Sequence, residues 1–61
     1  MSTTKEMISY TIDLLDAKRI KYIHSRDKME ANDTKYYYQR KADEISTAIR
    51  IIEEVAGINQ R

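Results

Sequence analysis

The sequence predicts an all-α fold: a two-helix antiparallel hairpin, with helices at about 4–29 and 34–56, that dimerises into a four-helix bundle, residues 1–61 forming a single domain. Three observations predict it. The composition, 41% hydrophobic and 34% charged with one Gly and no Pro, suits charged helices and leaves a β fold without its turn residues. Two apolar faces then stand out: Ile8, Ile12, Leu15, Arg19, Tyr22, Arg26, and Tyr38, Ala42, Ile45, Ile49, Ile52, Ala56. Each steps by alternating fours and threes, the rhythm of a helix packed against a helix. Finally, the faces mirror each other about Glu30-Ala31-Asn32-Asp33. Paired outward from there, from Arg26 with Tyr38 to Ile8 with Ala56, the two numbers of every pair add to 64, as folding back about Asn32 requires.

The first helix has a legible start. Thr3 followed by Glu6 matches a capping box, in which hydroxyl and carboxylate each satisfy an orphan backbone donor. A helix from about Thr4 to Met29 follows, with Met7, Ile8, Ile12, Leu15, Tyr22 and Met29 on one side and Glu6, Asp13 and His24 opposite.

Ala31-Asn32-Asp33-Thr34 interrupts it with residues whose side chains compete for backbone hydrogen bonds. The rival is one helix continuing to residue 56, since no Pro or Gly forbids it. The heptad phase favours a break: Ile8, Leu15, Tyr22 and Tyr38, Ile45, Ile52 are out of step by two residues, whereas continuous coiled coils absorb slips of three or four. Asn32 or Asp33 is then the N-cap of a second helix over about 34–56. Gly57 stands where a left-handed C′ residue is wanted, with Ile58 as its apolar partner and 59–61 as a frayed tail.

A chain of 61 residues buries only about 60% of its unfolded surface even when compact, and a lone hairpin buries less. Without Cys, and with one His, it has neither a disulfide nor a Cys/His metal cluster to staple it. Self-association or docking onto a partner is therefore expected. No apolar run is long enough to cross a membrane, and Met1-Ser2-Thr3-Thr4-Lys5-Glu6 lacks the apolar core of a signal peptide, so the expected location is cytoplasmic.

The charge is unevenly spread although the net is only +1. Residues 18–41 hold eight basic residues against three acidic ones, +5, while 1–17 and 42–61 each come to −2. A hairpin thus has a basic turn end and an acidic open end. On the second helix this order opposes the macrodipole, which costs about 0.3–1 kcal/mol per exposed charge. A second apolar flank, Met7, Tyr10 and Leu14 on one helix and Ala48, Ile51, Val55 and Ile58 on the other, is left wet in a monomer and reads as the dimer interface. Antiparallel packing, with the basic turn of one hairpin over the acidic end of the other, would cover that flank and match the charges.

Partner-binding candidates gather towards the turn: Arg19, Arg26, Tyr36, Tyr37, Arg40 and Lys41. Arg19 and Arg26 stand in the apolar stripe. Their guanidinium groups either face an anionic group on a partner or lie over the core and reach water or a near carboxylate, with Arg26 able to stack on Tyr38. Tyr36, Tyr37 and Tyr38 lie about 100° apart on a helix, so they cannot all be core. Tyr38 belongs to the stripe, and the other two either widen the core of a four-helix assembly or face a partner.

In length and layout the chain resembles the Rop family of plasmid copy-control hairpins, a likeness of architecture with no matching run of residues. The resemblance implies an antiparallel dimer that holds RNA on one face. The basic residues Lys18, Lys21, Arg26, Lys28, Lys35, Arg40 and Lys41, interleaved with tyrosines, suit phosphates and stacked bases, whereas the modest net charge opposes that reading. No catalytic or cofactor motif is present. His24 has no nucleophile arranged beside it, and Asp13/Asp16 and Glu53/Glu54 read as solvated face charges. The function expected is that of a small non-enzymatic regulator or adaptor, of phage or plasmid accessory type, binding a larger protein through a helical surface; the alternative is a Rop-like RNA- or DNA-binding hairpin dimer.

Overall fold

The computed structural model describes residues 2–57, with side chains from Thr4 onward. Two helices, α1 (Ser2–Lys28) and α2 (Asn32–Ala56), pack against each other, and no strand occurs among the described residues. The result is a rod of 47 × 16 × 16 Å. The break at the turn is therefore real, and the continuous-helix rival is excluded.

Both helices begin earlier than the sequence suggests. α1 includes Thr3 in its helical backbone, so the capping box expected to place Thr3 just outside the helix does not set the boundary. α2 starts at Asn32 rather than Thr34, and its N-cap is Ala31, at φ −76° and ψ 133°, with no side-chain cap bond. The Lys35 N–H donates to the Ala31 carbonyl at 3.0 Å, closing the first turn through backbone alone. Asn32 and Asp33 are thus inside the helix, where the Asp33 carboxylate sits in the first turn and favours the positive end of the dipole. At the other side of the loop, Arg26 and Lys28 occupy the last turn of α1, where cations are favoured.

The far end of α2 closes as expected. Gly57 is left-handed at φ 70° and ψ 21°, and its N–H reaches the carbonyls of Glu53 and Glu54. Ile58 and the expected tail at 59–61 lie outside the described residues.

The two apolar faces meet. Ile12, Ala42 and Ile49 are buried, with 8%, 2% and 7% of their surfaces exposed. Ile8, Leu15, Arg19, Tyr22, Arg26, Tyr38, Ile45 and Ile52 are half-buried, and Ala56, at the end of α2, is exposed. The reason is geometric: a helix with one neighbour covers about one side of its circumference, so only positions aimed straight at that neighbour lose their water. Ala42, the most buried of the three, stands one turn of α2 beyond Tyr38, whose ring meets that of Tyr22 across the helices with centroids 6.1 Å apart. Tyr22 thus meets Tyr38, one turn nearer the loop than its expected opposite, Ala42.

Candidate functional site

Successive residues on a helix are rotated by about 100°, so two rows can be followed along one side of the rod. On α1 the row is Met7, Thr11, Leu14, Lys18, Tyr22; on α2 it is Tyr37, Lys41, Glu44, Ala48, Ile51, Val55. A continuous set of contacts puts both rows on the same side. The Lys18 ammonium lies 5.9 Å from the Tyr22 ring centroid, Tyr22 meets Tyr38, Tyr38 meets Tyr37 edge-on at 5.2 Å, and the Lys41 ammonium lies 5.5 Å from the Tyr37 ring. Lys41 also approaches Glu44 at 3.7 Å.

This side changes character along its length, and both helices change at the same level. Towards the turn it is aromatic and cationic: Lys18, Tyr22, Tyr37, Lys41, with Arg40 lying 5.9 Å over the Tyr36 ring next to them. Tyr36, Tyr37, Arg40 and Lys41 border one open depression with Asp33 and Glu44. Towards the open end it is apolar. Met7, Tyr10, Leu14, Ile51 and Val55 are exposed, Met7 at 66% and Val55 at 83%, with Ala48 half-buried beside them.

The opposite side is a polar groove. Ile12 and Ile49 form part of its floor, and Asp13, Asp16, Arg19, Ser46, Thr47, Arg50 and Glu53 line it. Arg19 donates from Nε and Nη2 to Asp16 Oδ1 at 3.0 and 2.8 Å, so its guanidinium is held by a carboxylate one turn back. Arg50 reaches Glu54 at 3.8 Å. Arg26 takes a similar local course: Nε and Nη2 donate to Asp27 Oδ1 at 3.0 and 2.8 Å and Nη1 to Gln39 Oε1, while Gln39 donates to Asp43. The cations that lie over rings are Lys18, Arg40 and Lys41, not Arg26.

Of the six partner-binding candidates, the structure brings Tyr36, Tyr37, Arg40 and Lys41 together and sets Arg19 and Arg26 apart in local carboxylate contacts. Of the dimer candidates, Met7, Tyr10, Leu14, Ala48, Ile51 and Val55 group at the open end, and Ile58 lies outside the described residues. The cation–ring pairs Lys18/Tyr22, Tyr36/Arg40 and Tyr37/Lys41 are not among the sequence expectations, although all are spaced by four, the spacing at which helical side chains meet and the signal that marks them. Ile20, exposed at 41%, is a further apolar residue outside those expectations.

The open-end carboxylates bear on the packing expected from charge alone. Asp13, Asp16 and Glu53 line the polar groove, so their negative charge is turned away from the apolar side, and Glu54 approaches Arg50 at 3.8 Å. Among the described residues no group of His, Asp and Glu is placed to hold a metal ion. Among the same residues no helix is long and apolar enough to cross a membrane. Comparison with protein-family models, with curated proteins and with solved structures found no match.

Proposed function

We propose that this chain is a non-enzymatic binding module, a short helical rod that self-associates through its open-end apolar surface and engages a larger protein through Tyr36, Tyr37, Arg40 and Lys41. One observation carries the reading: more large apolar side chains are exposed than buried. Among the described residues eight are exposed, while Ile12, Ala42 and Ile49 form the buried core. A monomer of that balance leaves an apolar strip in water, and such strips mark interfaces. Tyrosines beside basic side chains suit a protein contact, because the ring supplies area at low entropic cost and the cation selects an acidic rim. The effect on the partner is occupancy, as for a small cytoplasmic regulator or phage- or plasmid-type accessory factor.

A pull-down from host lysate tests this reading. Capture of a protein by the wild-type chain, retained after nuclease and lost with Tyr37→Ala/Lys41→Ala, supports it; equal capture by wild type and variant contradicts it.

The three cation–ring pairs and the +5 balance of residues 18–41 also favour a second reading, single-stranded nucleic acid held by phosphate contacts and stacking. A mobility-shift titration separates the two. Retention that falls steeply between 50 and 200 mM salt, by about 10³-fold or more for six or more phosphate contacts, belongs to nucleic acid; no retention leaves the protein reading.

A further inference from the structure

We infer that the self-association proposed above is an offset antiparallel pairing in which two copies stack only their open-end halves, leaving the two turn ends projecting at opposite poles. The inference rests on that self-association reading and adds its register. The side bearing both rows divides at one level, between Leu14 and Lys18 on α1 and between Glu44 and Ala48 on α2. An antiparallel pair in full overlap would press Met7, Leu14, Ile51 and Val55 of each copy onto Lys18 and Lys41 of the other. That strips water from two ammonium groups per copy and gives them no new partner. Sliding the copies until the apolar halves coincide places Met7, Tyr10, Leu14, Ile51 and Val55 against the same five residues, as a two-fold interface requires.

Area and charge both allow this register. The five side chains expose on the order of 600 Å² per copy, so their complete mutual burial removes at most roughly 1,200 Å², the low end of specific interfaces. Of the open-end carboxylates, Asp13, Asp16 and Glu53 line the groove on the far side of a rod 16 Å across, while Glu6 and Glu54 are exposed to water one turn from Tyr10 and Ile51. Charges of the two copies facing outward on opposite sides are separated by more than the Debye length of about 8 Å at physiological salt. A parallel pair, by contrast, would set two +5 turn ends side by side. The offset register keeps them apart and exposes both sets of Tyr36, Tyr37, Arg40 and Lys41, which makes the dimer bivalent with widely spaced contact points.

The register has a measurable length. At 1.5 Å per residue the turns stand about 55–60 Å apart in the offset dimer, about 40 Å apart in full antiparallel overlap and under about 25 Å in a parallel pair. The chain has no native cysteine, so Asn32→Cys carries a single nitroxide for pulsed dipolar spectroscopy on the full chain. A distance near 55–60 Å is the expected result. Sedimentation of two surface variants accompanies it: Val55→Arg weakens dimerisation at least tenfold, whereas Tyr37→Ala changes it less than threefold. A distance near 40 Å, or equal weakening by both variants, overturns the register while self-association stands. A monomer up to several hundred micromolar overturns both and leaves the apolar half for a different protein.

Discussion

The Tyr22 and Tyr38 rings meet across the hairpin at 6.1 Å between centroids, tilted by 36°, and join the two helices next to the turn. Lys18 lies over the Tyr22 ring and Tyr37 packs edge-on against Tyr38, so one contact links the fold to the exposed aromatic surface. Offset and tilted aromatic pairs contribute about 0.5–1.5 kcal/mol beyond the area they bury. A double-mutant cycle on Tyr22→Ala and Tyr38→Ala, read by urea denaturation at one fixed protein concentration, is expected to give a coupling of that size. A coupling indistinguishable from zero would mean that the rings stabilise the hairpin independently.

Ile49 and Ala42 are the two buried positions of α2, and they fail in opposite directions. Ile49→Ala removes buried methyls and leaves a cavity, costing about 2–4 kcal/mol. Single cores below 70–80 residues rarely supply more than about 3–5 kcal/mol, so this variant is expected to lose most of its helical circular dichroism at 37 °C. Ala42→Leu instead forces bulk between helices that approach closely, at about 1–3 kcal/mol. Val55→Ala, at a position 83% exposed, should leave the monomer's stability unchanged to within about 0.5 kcal/mol.

Ala31 is an N-cap with the right backbone and the wrong side chain. Its φ of −76° and ψ of 133° already suit a capping residue, yet it offers no oxygen to the first turn. Ala31→Asp or Ala31→Ser is expected to stabilise the hairpin by about 0.5–1.5 kcal/mol, seen as a higher denaturation midpoint with an unchanged m-value. No gain would show that the first-turn N–H groups are already satisfied by another acceptor.

Gly57 carries the left-handed residue at the end of α2, and a Cβ built there meets nothing within 4 Å. Any penalty on Gly57→Ala is therefore one of backbone conformation rather than of crowding, about 1–2 kcal/mol. The expected result is fraying of the last turn, with faster amide exchange around Glu53 and Glu54 and little change near the loop.

These positions also show what could be read from residue order. The stripe from Ile8 to Arg26 and from Tyr38 to Ile52 turned inward because apolar periodicity records which way each Cβ must face, and Gly57 was legible because only glycine takes that conformation freely. The start of α2 was not, since Asn32 and Asp33 look like caps by residue type while the chain enters the helix one residue earlier on Ala31. Arg19 and Arg26 stand in the stripe and reach near carboxylates, one of the two courses that residue order left open, while Arg26 does not stack on Tyr38. A period fixes where a side chain leaves the backbone; a guanidinium four carbons and nitrogens out turns towards the nearest carboxylate, Asp16 or Asp27. The grouping of Tyr36, Tyr37, Arg40 and Lys41 followed from spacing by four and needed no tertiary information.

The self-association proposed for this rod rests on the apolar open end being covered by a second copy. Sedimentation equilibrium from 1 to 500 μM, combined with thermal melts over the same range, measures that directly. Self-association gives a mass approaching twice 7.2 kDa and a Tm that rises with concentration, because association stabilises the folded chain by mass action. A mass of 7.2 kDa throughout, with a Tm independent of concentration, would contradict it.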